Sequence, residues 1–309
     1  MPERPRVIID CDPGHDDAMA ILLAARHTEI LGITTVSGNA PLPATTRNAL
    51  LCTQILNIDA PVHAGTARPL LSTPRYATEV HGVTGLDGPA LPVLQRRVAS
   101  HDAVGFIIET VRREPDVWLV PIGPLTNIAL ALRQAPDIVE RIAGISLMGG
   151  SSTVGNVTPV AEFNLWADPH AAAIVYECGA RLQMCGLNLT QQFWVDNSTI
   201  AALRSIGNAA GTFAADLFAF YVASSGMRTG LARAPLHDPC AVLALTHPEL
   251  LSGTHYPVTV STADGATRGM TVVDQRHSAQ KATANCLVYE TIDRQRAMDV
   301  FLSTVASFG

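Results

Sequence analysis

No run of apolar residues in this chain approaches the ~20 needed to cross a bilayer, and no cluster of arginine and lysine forms a patch for nucleic acid. Lys281 is the only lysine, so nearly all positive charge is arginine, which we attribute to composition bias. The formal net charge of −6 would itself repel a polyanion. Membrane-spanning and nucleic-acid-binding functions are therefore not expected. Metal-thiolate spacing is also missing. Cys11, Cys52, Cys178, Cys185, Cys240 and Cys286 lie apart, with no CxxC and no Cys/His pattern. In a chain of this size they read as buried free thiols in a reducing compartment. The stretch from Met1 to Arg6 is polar and leads straight into a strand-like run, unlike a signal peptide. A cytoplasmic protein is the expectation. Neither repeats nor a Pro/Gly/Ser-rich linker break the chain, so residues 1–309 are expected to form one domain.

What is present is a large apolar fraction, 48% against 16% charged, enough for a sizeable core and too apolar for disorder. Short β-branched runs alternate with helical patterns. Val7-Ile8-Ile9 reads as a buried strand, followed by a helix over His15–Arg26, a strand at Ile30–Val36 and a helix over Ala44–Leu56. Next come a helix near His101–Arg113, a strand at Val117–Pro121, a helix over Leu125–Arg133 and a strand at Ile145–Met148. A helix over Pro169–Cys178 and a strand at Leu182–Cys185 complete the pattern. It predicts an α/β fold: an open, mostly parallel sheet with helices on both faces. The C-terminal third reads as more helical through about Leu245, with a C-terminal β-hairpin from Tyr256–Ser261 and Met270–Val273.

In an open parallel sheet, ligands bind beyond the carboxyl ends of the strands. Here those ends run into Asp10-Cys11-Asp12-Pro13-Gly14, Ser37-Gly38-Asn39, Gly123-Pro124 and Gly149-Gly150. The first is the most informative. Asp10, Asp12, Asp16 and Asp17 place four carboxylates within eight residues, with no Arg or Lys beside them. One or two acids in a first helical turn are ordinary capping groups, worth ~0.3–1 kcal/mol each against the helix dipole. That is too little to keep four crowded carboxylates ionised, whereas a hard divalent cation would suffice. Oxygen-only ligands favour Ca²⁺ or Mg²⁺ over zinc.

Three kinds of protein carry such a turn. An EF-hand needs a preceding helix and a Glu at the twelfth loop position, where this chain has a strand and Ile21. A haloacid-dehalogenase-like phosphatase needs a mid-chain lysine and a later acidic pair, and Lys281 stands near the chain end with no such pair after Asp17. The third fits. Asp10 through Ala18 resembles the signature of the nucleoside hydrolases, the inosine–uridine-preferring ribohydrolase family. Further segments agree in order and spacing: Ser37-Gly38-Asn39; His81-Gly82 with Gly85-Leu86-Asp87-Gly88; Ile122 to Asn127; and Met148-Gly149-Gly150. So do Gly155-Asn156, Ala161 to Asn164, Leu236 to Pro239, and Thr267 to Thr271.

The resemblance implies hydrolysis of the N-glycosidic bond of ribonucleosides to ribose and free base. It implies Ca²⁺ held by Asp12, Asp17, Asp238 and the carbonyl of Ile122, with ribose hydroxyls and a water completing the sphere. Asp12 would be the general base on that water. Asp10 would support the metal-binding acids from behind, and a purely structural role at the strand end is an equal reading of it. Asp16, Asn39, Met148, Asn156, Glu162, Phe163 and Asn164 would hold the ribose. Isolated asparagines are usually turn residues, and only their place in the family segments favours substrate. His237, next to Asp238, would protonate the leaving base, since histidine titrates near neutrality. His81 would contact the base from a mobile loop and is the second candidate for that acid. His15 receives no role. Tyr221, Ser225, Arg228 and Thr229 fall where relatives line the base pocket, and they do not decide purine against pyrimidine. A homodimer or homotetramer is expected by resemblance. The alternatives are a metal-dependent phosphatase and a nucleoside-binding relative without catalysis.

Overall fold

A computed structural model describes residues 4–277 and 282–309; Met1–Glu3 of the polar N-terminal run and Lys281 lie outside them. The chain opens with β1 (Arg6–Cys11), α1 (His15–His27), β2 (Glu29–Thr35), α2 (Leu42–Ile55) and a short β3 (Val62–Ala64). Next come α3 (Thr78–His81), α4 (Ala103–Arg113), β4 (Val117–Pro121), α5 (Thr126–Gln134) and β5 (Gly144–Met148). They are followed by α6 (Phe163–Ala167), α7 (Pro169–Tyr176), β6 (Leu182–Cys185), α8 (Leu187–Thr190) and β7 (Trp194–Asp196). After α9 (Asn197–Ile206), α10 (Ala209–Thr229), β8 (Arg233–Pro235) and α11 (Pro239–Thr246), the strands return. These are β9 (Leu251–Tyr256), β10 (Val258–Val260), β11 (Thr271–Val273) and β12 (Cys286–Ile292), and α12 (Arg294–Ala306) follows.

Eight strands form the central sheet in the order β3-β2-β1-β4-β5-β6-β12-β9. Every neighbouring pair is parallel except β12 with β9. β1 shows why its sequence demands a central position. Val7, Ile9 and Cys11 face the helix α1, packing with Ala18 and Leu22. Ile8 points to the other face, among Leu119, Ile145 and the α5 residues Ile128 and Leu132. Both faces of the strand are dry, so an alternating pattern would have left polar groups in the core. Parallel pairing puts the carboxyl ends of β1, β2, β4 and β5 on one rim, as the sequence implies.

The C-terminal part departs from expectation. The hairpin is shorter, Val258–Val260 against Thr271–Val273, and Tyr256 belongs instead to β9. β3, β9, β12 and α12 were not anticipated. Most of β9 is an exposed edge running antiparallel to β12, so Ser252 to His255 carry no apolar pattern. β12 joins the sheet beside β6, where Cys286 and Val288 are buried.

Candidate active site

The turn after β1 is built by its own acids. Asp17 accepts the backbone N–H groups of Asp12 (3.2 Å) and Gly14 (2.9 Å), which fixes the start of α1. Part of the ordinary capping role is therefore real. Asp10 sits between Thr34 of β2 and Pro121 of β4 in the sheet register. One of its carboxylate oxygens takes the Thr34 hydroxyl (2.6 Å) and the Asn127 amide (2.8 Å), and the other is buried without a partner. Asp12 Oδ2 accepts the Asn39 backbone N–H at 2.6 Å, while its Oδ1 is buried and unpartnered. Gly38 and Gly123 close on this carboxylate from both sides; a Cβ at either position would collide with it.

From the far end of the sequence, Asp238 opens α11 but does not cap it. Its carboxyl meets that of Asp17 in a hydrogen bond. Asp16, Asp17 and Asp238 offer oxygens within 4.8 Å of one another. Asp16 also accepts the backbone N–H groups of His237 and Asp238, tying α1 to α11. Burial pushes all these acids up. Asp10 rises to about 7 and Asp16 to about 8, in the second case with help from Asp17. Asp12 and Asp238 lie well above the usual carboxylate range, raised by burial and then by the neighbouring acids. Asp17 is raised as well, by burial. None of the five forms an ion pair among the described residues. Carboxylates packed this closely must share protons or a cation. An all-oxygen donor set with orphaned oxygens on Asp10 and Asp12 fits a hard divalent ion. The tightest trio contains Asp16, which the resemblance had placed on the ribose, in place of Asp12, which stands beside it. The Ile122 carbonyl, expected as a ligand, accepts the Asn164 amide at 2.9 Å and lines the cavity.

A cavity of about 470 Å³ opens over this rim. Its floor and one wall are Asp16, Asn39, Ile122, Met148, Asn164 and Asp238, continued by Asn156, Glu162 and Phe163. Asp10, Asp12 and Asp17 lie behind that lining. Several expected ribose contacts are partly committed to the protein. Glu162 caps α6 through the N–H groups of Asn164 and Leu165 and also takes the Gly150 N–H. Burial still lifts it to about 7. The Asn156 side-chain oxygen Oδ1 accepts from the Phe163 backbone N–H at 3.0 Å. Asn39 donates its side-chain amide to the Asp12 carbonyl and to Asp17.

The opposite wall comes from α3, α10 and the segment before α11. His81, Tyr221, Ser225, Arg228, Thr229 and His237 line it. The His237 Nδ1 is held by the Thr190 hydroxyl at 2.7 Å. Burial, with the Arg228 charge, pulls its pKa to about 4. The ring is thus neutral near pH 7, unlike the near-neutral titration expected from sequence. His15 lies beneath this wall, stacked on Phe220 and Tyr221. Its Nε2 meets the Asp87 carbonyl at 2.8 Å, which requires an N–H there. Burial holds His15 near 4, so its Nδ1 is a lone pair. His81 Nδ1 lies 3.0 Å from that nitrogen and also accepts the His15 backbone N–H at 3.3 Å.

Sequence reasoning missed Thr190, which orients His237, and Arg75, Tyr76, Glu79 and Trp166, which complete the lining. Arg268 of the segment before β11 donates to the Trp166 carbonyl and to Ser72, holding that corner together. No local pattern marks these residues, since each reaches the cavity only through tertiary packing.

The pattern of the family described as inosine-uridine preferring nucleoside hydrolase matches residues 7–299. The pyrimidine-specific ribonucleoside hydrolase RihA of Shewanella sp. (strain ANA-3) is 41% identical over 307 residues, covering 98% of this chain and 96% of the relative. The pyrimidine-specific ribonucleoside hydrolase RihB of Escherichia coli (strain K12) is 42% identical over 294 residues, with 94% of each covered. Among solved structures, a purine-preferring ribonucleoside hydrolase from Gardnerella vaginalis superposes with a TM-score of 0.92 at 31% identity, covering 98% of both chains. Since likeness in sequence and in backbone runs from the first strand of the sheet into the last helix, the chain belongs to the inosine-uridine preferring nucleoside hydrolases and is a ribonucleoside hydrolase.

Proposed function

We propose that the chain hydrolyses pyrimidine ribonucleosides to ribose and free base, with Ca²⁺ as its metal and Asp12 as general base. The observation that carries this reading is the buried, unpartnered Oδ1 of Asp12 beside the trio of acids. Asp12, Asp16, Asp17 and Asp238 would hold the ion, with the Ile122 carbonyl adjoining. Such an ion would anchor the ribose diol and make water more acidic. The Asn39 N–H fixes one Asp12 oxygen and leaves the other to take the proton from the attacking water. Asn156, Glu162 and Asn164 keep hydrogen-bonding capacity toward the sugar, and Met148 and Phe163 pack beside it. His237 gives a hydrogen bond to the leaving base from a ring fixed by Thr190. The pyrimidine preference is drawn from the two bacterial relatives above 40% identity.

Incubating the calcium-loaded protein with uridine, cytidine, inosine and adenosine and measuring free base tests the reading. Release of base from the pyrimidines foremost, abolished by exhaustive chelation and restored by Ca²⁺, is expected. Full activity after chelation would overturn the metal assignment, and faster turnover of inosine would overturn the base preference. Release of inorganic phosphate from phosphate esters would instead favour the phosphatase alternative. Among the described residues no helix is long and apolar enough to cross a membrane. A homodimer or homotetramer acting in the cytoplasm is part of the proposal, tested by light scattering and cell fractionation.

A further inference from the structure

Tyr221, Ser225, Arg228 and Thr229 recur at helical spacing, so one face of the last turns of α10 looks into the cavity. Arg228 is the cation on that face. It is exposed and has no ion pair or hydrogen bond among the described residues, whereas Arg112, Arg204 and Arg276 each hold a carboxylate. Its charge acts on both His81 and His237, which places it at their end of the cavity. The other end carries Asp16, Asp238 and Glu162. Acids thus line the floor and the Arg228 guanidinium the α10 wall, with Arg75 and Glu79 also in the lining. Breaking an N-glycosidic bond separates charge, into a positive sugar and a negative base.

We propose that Arg228 is a catalytic residue that donates hydrogen bonds to the departing nucleobase and takes up its developing negative charge. The inference rests on the hydrolase reading above. The C1′–N bond breaks and its electron pair goes to the base, where a pyrimidine spreads it from N1 onto O2. The water oxygen bonds to C1′, one water proton goes to Asp12, and the base anion takes up a proton from solvent as it leaves, Asp12 returning its own to solvent afterwards. A guanidinium suits this task because it stays charged at any working pH and presents a planar fork of donors. Preorganised charge aimed at where charge develops acts on kcat.

The test compares R228M and R228K with the unaltered, calcium-loaded enzyme on uridine and on 5-fluorouridine, whose base is the better leaving anion. R228M should lose roughly 10–100-fold in kcat on uridine, the scale of one charge-assisted hydrogen bond. It should lose several-fold less on 5-fluorouridine. R228K, keeping the charge without the fork, should recover part of the loss, as should guanidinium ion added at millimolar concentration. Equal losses on the two substrates, or an effect confined to KM, would overturn the proposal while leaving the hydrolase reading intact. No base released by the unaltered enzyme would instead remove the reading on which it rests.

Discussion

The two walls of the cavity are made differently. The floor comes from loops at the ends of four adjacent parallel strands; its acids are buried, and Asp12, Asp16 and Asp17 are locked to backbone N–H groups of the β1–α1 turn, the residues just before α11 and the Asn39 loop. The opposite wall comes from the four-residue α3, the last turns of α10 and the segment leading into α11, and Arg228 and Thr229 on it are exposed. The first wall is positioned by a sheet whose register cannot slip without turning its core outward. The second is positioned by helix ends, which tolerate substitution. On the function proposed above, the rigid side would hold the metal and the sugar and the other side would meet the base. A relative named for pyrimidine is 41% identical in sequence, and one named for purine shares this backbone.

Four substitutions would break or sharpen that contrast. The largest effect is expected for Asp12→Asn, which keeps the contact to Asn39 but cannot accept a proton. Loss of a general base costs ~10²–10⁴-fold in kcat, or about 3–5 kcal/mol of barrier. A loss below tenfold in base release would show that the proton goes elsewhere. His237→Ala should cost roughly 10–100-fold on natural nucleosides, the loss of one hydrogen bond to a base gaining charge. It should change little on a nitrophenyl riboside, whose leaving group departs as a stable anion. Equal losses on both substrates would mean that the ring only supports Asp238.

Asn127→Leu tests the floor without touching ligand. It removes donors to Asp10 and to the Thr35 carbonyl and the acceptor of the Thr66 N–H. Leaving a buried polar group unpaired costs about 1–3 kcal/mol, so the urea midpoint should fall clearly. An unchanged midpoint would show that the rim is less tightly held than its hydrogen bonds imply. Thr229→Val on the other wall should leave stability within ~0.5 kcal/mol. Only the ratio of pyrimidine to purine turnover should move, by a few-fold. A uniform fall across substrates would contradict the division between the walls.

The sequence reading succeeded where physics is local. β1, β2, β4, β5 and β6 were legible because strands buried on both faces must be continuously apolar. The acidic turn was legible because four carboxylates without counter-charge lie within eight residues. Asp238 is more than two hundred residues from that turn, and only the family resemblance connected them. β3 has three residues, and β9 is an exposed edge, so neither leaves a periodic trace. The capping duties of Glu162 and the pinning of His237 by Thr190 arise from contacts that no spacing encodes. The lowered pKa of His237 follows from burial and from Arg228, both products of the fold.

The strand order carries a consequence for how the chain is made. The six strands β3-β2-β1-β4-β5-β6 are complete by residue 185. β12 and β9 then add at the β6 edge, and β12 ends only at residue 292. While a ribosome synthesises the hundred or so residues between, β6 presents an uncovered row of backbone donors and acceptors. Such an edge invites pairing with other chains. A fragment ending after Thr246 should therefore keep a parallel sheet by circular dichroism yet aggregate at concentrations where the full chain stays dispersed. Covering that edge is a task of the last two strands quite separate from anything they do for the reaction.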